Sequence, residues 1–207
     1  MATKVFVSFR FNDGLDYKKE LEEIFDSSTE IINRSEDTDR SDMSEETIRD
    51  YLYDKLKNTS VTILILTPEA VNYKKNIFGD YDDWLYDELR YSLEDRTKNR
   101  TNGVIALYTD DSEALLFNKS THTCPICNET KSCRSLSSFD NLARKNMLNV
   151  KKEYKKNSCE GLYDDETDSY ISLVPFEDFK VNYEEYINNA KEKRDRKDEF
   201  ELIKKMR

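Results

Sequence analysis

The amino-acid sequence predicts an α/β fold: an open parallel sheet with helices on both faces, a cysteine-bearing insertion and a C-terminal helix. Three observations predict it. Apolar runs of strand length recur along the chain, and segments with apolar residues at helical spacing lie between them. The strongest runs are rich in Val and Ile and apolar at successive positions, as strands buried on both faces are. A polar, cysteine-bearing stretch over 109–135 then breaks the alternation.

The strand-like runs are "KVFVSF" (4–9), a weaker "TEIIN" (29–33), "SVTILILT" (60–67), "GVIALY" (103–108) and "YISLVPF" (170–176). Between the first two, "DYKKELEEIF" (16–25) sets Tyr17, Leu21, Ile24 and Phe25 on one helical stripe. A second helix over 44–58 buries Ile48, Leu52 and Leu56, and a third over 82–96 turns Trp84, Leu85, Leu89 and Leu93 inward. The loop "RSEDTDRSD" (34–42) is charged and has no apolar anchor, and the connection 68–81 is long for a compact α/β unit. After the polar stretch a helix is expected over 138–155, then a surface loop "DDETD" (164–168) before the last strand. The end of the chain, from Asn182, reads as a long charged helix whose run at 191–199 is a solvated face.

At 207 residues the chain fits one domain: a core over 1–110, an insertion with a helix over 111–160, and a last strand and helix over 161–207 that complete the same unit. Hydrophobic residues are 37% of the total, but their clustering suffices for one core. The net charge of −10 argues against nucleic acid or an anionic membrane as partner, since both need clustered cations. No apolar run reaches the roughly 18 residues of a membrane span. The start, "MATKVFVSFR", enters a strand without a signal peptide, so the four cysteines are expected to be reduced in a cytoplasm. The four glycines, at 14, 79, 103 and 161, cannot build either glycine-rich phosphate loop.

In an open α/β sheet, ligands bind beyond the C-terminal ends of the strands. Those positions are Ser8, Phe9, Arg10 and Asp13 after the first strand, Thr67 after the third, and Tyr108 to Asp110 after the fourth. A phosphoacceptor receiver domain shares this topology, but the third strand here ends in "LILTP" where a receiver needs an aspartate.

"KVFVSFRFND", "NTSVTILILT" and "WLYDEL", in that order and spacing, resemble the TIR domain, most of all the TIR-like subunit of the bacterial Thoeris anti-phage system. The resemblance covers roughly residues 4–110, and the cysteine-bearing segment departs from it. It implies a TIR-like, flavodoxin-like fold and an enzyme that cleaves NAD between nicotinamide and ribose. The matching catalytic residue is Glu88, one turn after Trp84. Thoeris members release a signalling nucleotide derived from ADP-ribose, a cyclic isomer, that switches on a separate nucleotide-sensing effector. TIR–TIR self-assembly through the loop at 34–42 and a phage component as trigger belong to the same expectation.

The chemistry suits these residue types. Breaking the glycosidic bond of NAD builds positive charge on the ribose, which a shielded carboxylate offsets. Phe9 or Trp84 could stack on a planar ring, and Arg10 could offset pyrophosphate charge. Against these stand blander roles: Trp84 as core packing, Arg10 and Asp13 as a surface pair or helix cap, Glu88 as one more surface acid, and the whole chain as a TIR-like assembly module without chemistry.

"HTCPICNETKSC" gives Cys124-x-x-Cys127-x5-Cys133, with His122 just before and Cys159 further on. A C-x-x-C knuckle with a third nearby thiolate suits structural zinc, with reduced thiols as the alternative. The fourth ligand stays open between Cys159 and His122. A continuous helix over 138–155 would run roughly 27 Å and carry Cys159 away, so either that helix is broken or His122 completes the site.

Overall fold

A computed structural model describes residues 2–35, 45–71, 84–95, 100–128, 130–136, 142–156, 159 and 162–205. The main chain alternates as the sequence predicts: β1 (Thr3–Ser8), α1 (Phe11–Asp26), β2 (Ile31–Asn33), α2 (Glu45–Leu56), β3 (Val61–Leu66), the short α3 (Pro68–Val71), α4 (Trp84–Leu93) and β4 (Gly103–Tyr108). There follow α5 (Asp110–Leu116), a hairpin of β5 (Phe117–Thr123) and β6 (Thr130–Leu136), α6 (Leu142–Lys145), β7 (Ile171–Pro175) and α7 (Phe176–Asp195). Five strands form one sheet in the order β2-β1-β3-β4-β7, with every pairing parallel. The loop at 34–42 lies outside the described residues beyond Ser35.

Alternation along the strands divides the core into two layers. Val5, Val7, Ile63, Ile65, Ile105, Leu107 and Val174 face α1 and α7, where Leu21, Phe25, Phe179 and Ile187 cover them. Leu64, Leu66, Val104 and Ala106 face the other way, against Leu85, Leu89 and Leu93 of α4 and Leu142 of α6. Phe6 lies on this second face with Leu52 and Leu56 of α2 and Tyr91 of α4. The central β3 and β4 are buried at every position, as their unalternating Val and Ile require. Gly103 marks a close approach of α7 to the sheet: a Cβ there would lie 2.2 Å from the Ala190 carbonyl oxygen.

Three expectations change. The helix expected over 138–155 is broken: four residues of α6 are followed by Leu148 in the left-handed region (φ 51°) and a 3-10 turn at Lys152–Tyr154. Asn146 explains the break. Its side chain bonds both backbone groups of Ile203, donating at 2.8 Å and accepting at 2.9 Å, so a tertiary clasp replaces helical continuation. The polar stretch 109–135 holds α5 and an antiparallel hairpin. Helix α7 adds a first turn and a half from Phe176, kinks at Asn182 (φ −124°, ψ 30°), where the expected helix starts, and ends at Asp195; a 3-10 turn at Lys197–Glu199 and an extended segment follow. Within the charge run Lys193 is buried, its Nζ donating to Ser172 Oγ at 2.6 Å. Among the described residues no helix is long and apolar enough to cross a membrane.

Candidate functional site

The C-terminal ends of β1 and β3 meet the first turn of α1. Arg10 is the N-cap of that helix, and Asp13 stands in its first turn. The Asp13 carboxylate accepts the Thr67 hydroxyl at 2.7 Å and the Glu69 backbone N–H at 3.0 Å. It thereby ties α1 to the end of β3 and caps α3 rather than its own helix. Phe9 is half-buried against Gly14, where an added Cβ would sit 3.1 Å from the Phe9 Cβ. The Phe9 ring stacks on Phe11 with centroids 6.1 Å apart, and Lys18 Nζ lies 5.9 Å from its centre. Lys18 is itself buried and pairs with Glu22 at 2.6 Å. Along the same edge, Tyr108 meets Phe117 edge-on and Thr109 forms a capping box with Ser112. Burial, with help from the Asp111 carboxylate, pushes the Tyr17 hydroxyl up.

Helix α4 brings Glu88 toward this edge, and a polar chain fixes how far along the sheet it lies. Asn102 Nδ2 donates to Thr59 Oγ1 at 2.8 Å and to Thr62 Oγ1 at 3.2 Å. The Thr62 and Ser92 hydroxyls are 2.7 Å apart, and Ser92 Oγ donates to the Glu88 carbonyl at 2.7 Å. Tyr170, fully buried, donates to the Asn102 carbonyl at 2.7 Å. Burial pushes its hydroxyl far up, so it remains a donor. Ser92 therefore pins α4 over Thr62, which pairs with Phe6 of β1.

Glu88 stands four residues before Ser92 on the same helical stripe, about 6 Å toward the strand ends. Two residues along β3 cover about 6.6 Å, which sets Glu88 level with Leu64 and its register partner Ser8. Ser8 shares the parity of Phe6 and so faces α4 rather than α1. Its hydroxyl is buried and has no hydrogen-bond partner among the described residues. Glu88 is half-buried. Strand parity and helix rise thus put Ser8 and Glu88 on the same face of the sheet, whereas Phe9 packs with the α1–α7 layer on the opposite face and Asp13 is engaged by Thr67 and Glu69. Trp84 is the first residue of α4, and its side chain lies outside the described residues.

The sequence reading passed over Ser92, Thr62 and Asn102. The signal was there: Ser92 is a polar residue between Leu89 and Leu93 on an inward stripe, a position that requires a buried partner.

The cysteines gather at the tip of the hairpin. Cys124, Cys127 and Cys159 have sulfur atoms all within 4.8 Å of one another. Backbone N–H groups of Cys127 and Ile126 hold the Cys124 thiol down to about 7, and hydrogen bonds to the other two thiols push Cys159 up to about 11. The broken helix is what lets Cys159 return. His122 belongs to the exposed part of β5, opposite Lys131, and is not a member of the cluster. Cys133 pairs with Ser120 in the backbone ladder, and its side chain lies outside the described residues.

Residues 6–114, just over half of the chain, match the family model described as Thoeris protein ThsB, TIR-like domain. A solved structure of the TIR domains of the activated Roq1 resistosome, directly recognising the pathogen effector XopQ, shares 12% identity with a TM-score of 0.30. That likeness spans 53% of this chain and 58% of that one. It is too slight to bear on the site, and the all-parallel strand order stands without it.

Proposed function

The chain belongs to the family of the Thoeris protein ThsB, TIR-like domain, and from that premise we propose that it is an NAD glycohydrolase and cyclase of antiphage defence. The observation that carries the proposal is the half-buried Glu88, held by the Ser92–Thr62 chain over the level of Ser8. In this reading nicotinamide leaves with the electron pair of the glycosidic bond and becomes neutral, while positive charge develops on the ribose. A half-buried carboxylate offsets that charge better than a fully solvated one. The Ser8 hydroxyl, buried and facing the same level, offers a donor to the substrate. Phe9 supplies an aromatic face and Arg10 a cation for the pyrophosphate. Water then captures the ribosyl cation to give ADP-ribose, or a nucleophile of the same molecule closes a cyclic isomer. That product is the signal for a separate effector, and TIR–TIR assembly with a phage-derived trigger governs the activity.

Purified protein incubated with NAD, alone and with extract of infected cells, tests the reading through released nicotinamide. Glu88→Gln keeps the size of the side chain and removes its charge. It is expected to keep the wild-type melting temperature and lose about two or more orders of magnitude in turnover. Near-normal turnover in Glu88→Gln removes Glu88 from the chemistry. Silence of the wild type under both conditions leaves a TIR-like assembly module without catalysis.

A further inference from the structure

We propose that Cys124, Cys127 and Cys159 bind one zinc ion, which fastens the tip of the β5–β6 hairpin to the segment between α6 and β7. This site is separate from Glu88 and does not depend on the activity proposed above.

The hairpin cannot hold itself by burial. Apart from Phe117 and Leu136 at its base, its described side chains up to the tip are exposed, and an isolated two-stranded hairpin is marginal in water. Yet at its tip Cys124 is completely buried while residues 125–128 around it are exposed. A lone buried thiol at the end of an exposed ribbon needs a partner that shields it, and the other two sulfurs provide the start of one.

The backbone at the tip is already wound as a metal knuckle. The Asn128 N–H bonds the Cys124 carbonyl at 2.8 Å, closing the turn, and the Ile126 N–H points at Cys124 Sγ at 3.4 Å. Asn128 has φ 58°, the left-handed residue that lets the chain leave the turn just after the second cysteine. Cys159 is delivered from the opposite side, with Lys155 Nζ donating to its carbonyl at 2.7 Å and the Lys155 ammonium lying over Tyr163.

Three sulfurs this close match the edges of a tetrahedron around a metal at about 2.3 Å from each, which are roughly 3.8 Å long. A disulfide would join two of them and leave the third without a partner. Soft thiolates select zinc over the hard oxygen-seeking cations, and zinc needs no redox partner here. A further donor completes the fourth corner.

The consequence reaches the sheet. Leu142 and Ala143 of α6 pack against Leu85 and Leu89 of α4, so the segment that zinc anchors also lies against the helix carrying Glu88. Untagged full-length protein, purified without chelators, should carry about one zinc per chain. Cobalt added to the metal-stripped protein should give the thiolate charge-transfer and tetrahedral d–d bands expected of a sulfur-rich site. Cys124→Ser with Cys127→Ser should abolish stoichiometric binding, and Cys159→Ser should weaken zinc about 100-fold or more in chelator competition. Hydrogen exchange should speed up over 117–136 in the stripped wild type and leave β3 and β4 unchanged. A folded wild type with far less than one zinc per chain and no tetrahedral cobalt spectrum overturns the proposal, and so does a double variant that retains its zinc.

Discussion

Lys193 is a charged group sealed in the packing of α7, and its replacement by Met asks what that charge costs. Methionine keeps a long unbranched side chain and removes the ammonium. The residue is 3% exposed and has Ser172 Oγ as its neutral partner. Burial pushes the amine down to about 8 from its ordinary 10.5; Glu166 pulls the other way and Arg196 adds to the fall. Between those values the unfolded chain binds a proton that the folded chain does not, so stability rises with pH across the window. Below the folded value both states are charged, and the full cost of about 3 kcal/mol is present. Linkage then gives the wild type a gain of about 2.5 kcal/mol between about pH 7 and about pH 10. The variant lacks that gain. Its stranded Ser172 hydroxyl contributes the same offset at every pH, so the difference between the two proteins isolates the lysine. Urea unfolding of both across that range measures it, with the slopes checked for equality. A difference flat to within about 0.5 kcal/mol refutes the burial argument.

Two further outcomes follow from packing and capping. Gly103→Ala drives a Cβ against the Ala190 carbonyl, whose oxygen and carbon would be 2.2 and 2.6 Å away. Since both are helix backbone, α7 must lift from β4, and a loss of about 3 kcal/mol or more is expected in urea unfolding; an unchanged midpoint would show that the helix is not seated so closely. Asp13→Ala removes the acceptor of Thr67 and Glu69 and should cost about 2 kcal/mol, with Asp13→Asn costing less because one oxygen remains. A loss below about 0.5 kcal/mol in Asp13→Ala would free that carboxylate for ligand binding instead.

The parallel core was legible because β3 and β4 are apolar at successive positions, a pattern that central strands alone demand. Leu52 and Leu56, and Leu85, Leu89 and Leu93, were legible for the same reason: each stripe has one dry side. The hairpin was hidden because "FNKSTHT" is exposed at every position after Phe117, and strand periodicity is a record of burial. The break after Lys145 was hidden for another reason. Asn146 and Asn149 read as tolerable helix residues until their amides are seen bonding Ile203 and Glu201, more than fifty positions away. The knuckle spacing of Cys124 and Cys127 could be read directly, whereas Cys159 as the third sulfur needed that break. Glu88 was singled out by likeness to a family; what periodicity alone would have missed is the Ser92–Thr62 link that sets its height over the sheet.

The clasp between Asn146 and Ile203 has a temporal side. A ribosome delivers β1 through β4 first, yet β4 has an open edge until Ile171–Pro175 emerges beside it. The outer side of α4 waits longer still: its cover, the 142–150 segment, is tied down by Glu201 and Ile203. Pairings this far apart in sequence form late and slowly, and the unfinished edge is a surface that chaperones bind and other chains can pair with. The helix carrying Glu88 therefore stays propped on one side only during most of translation, so a nascent chain would reach the geometry of the proposed site only after its last strand and the segment behind it had been made.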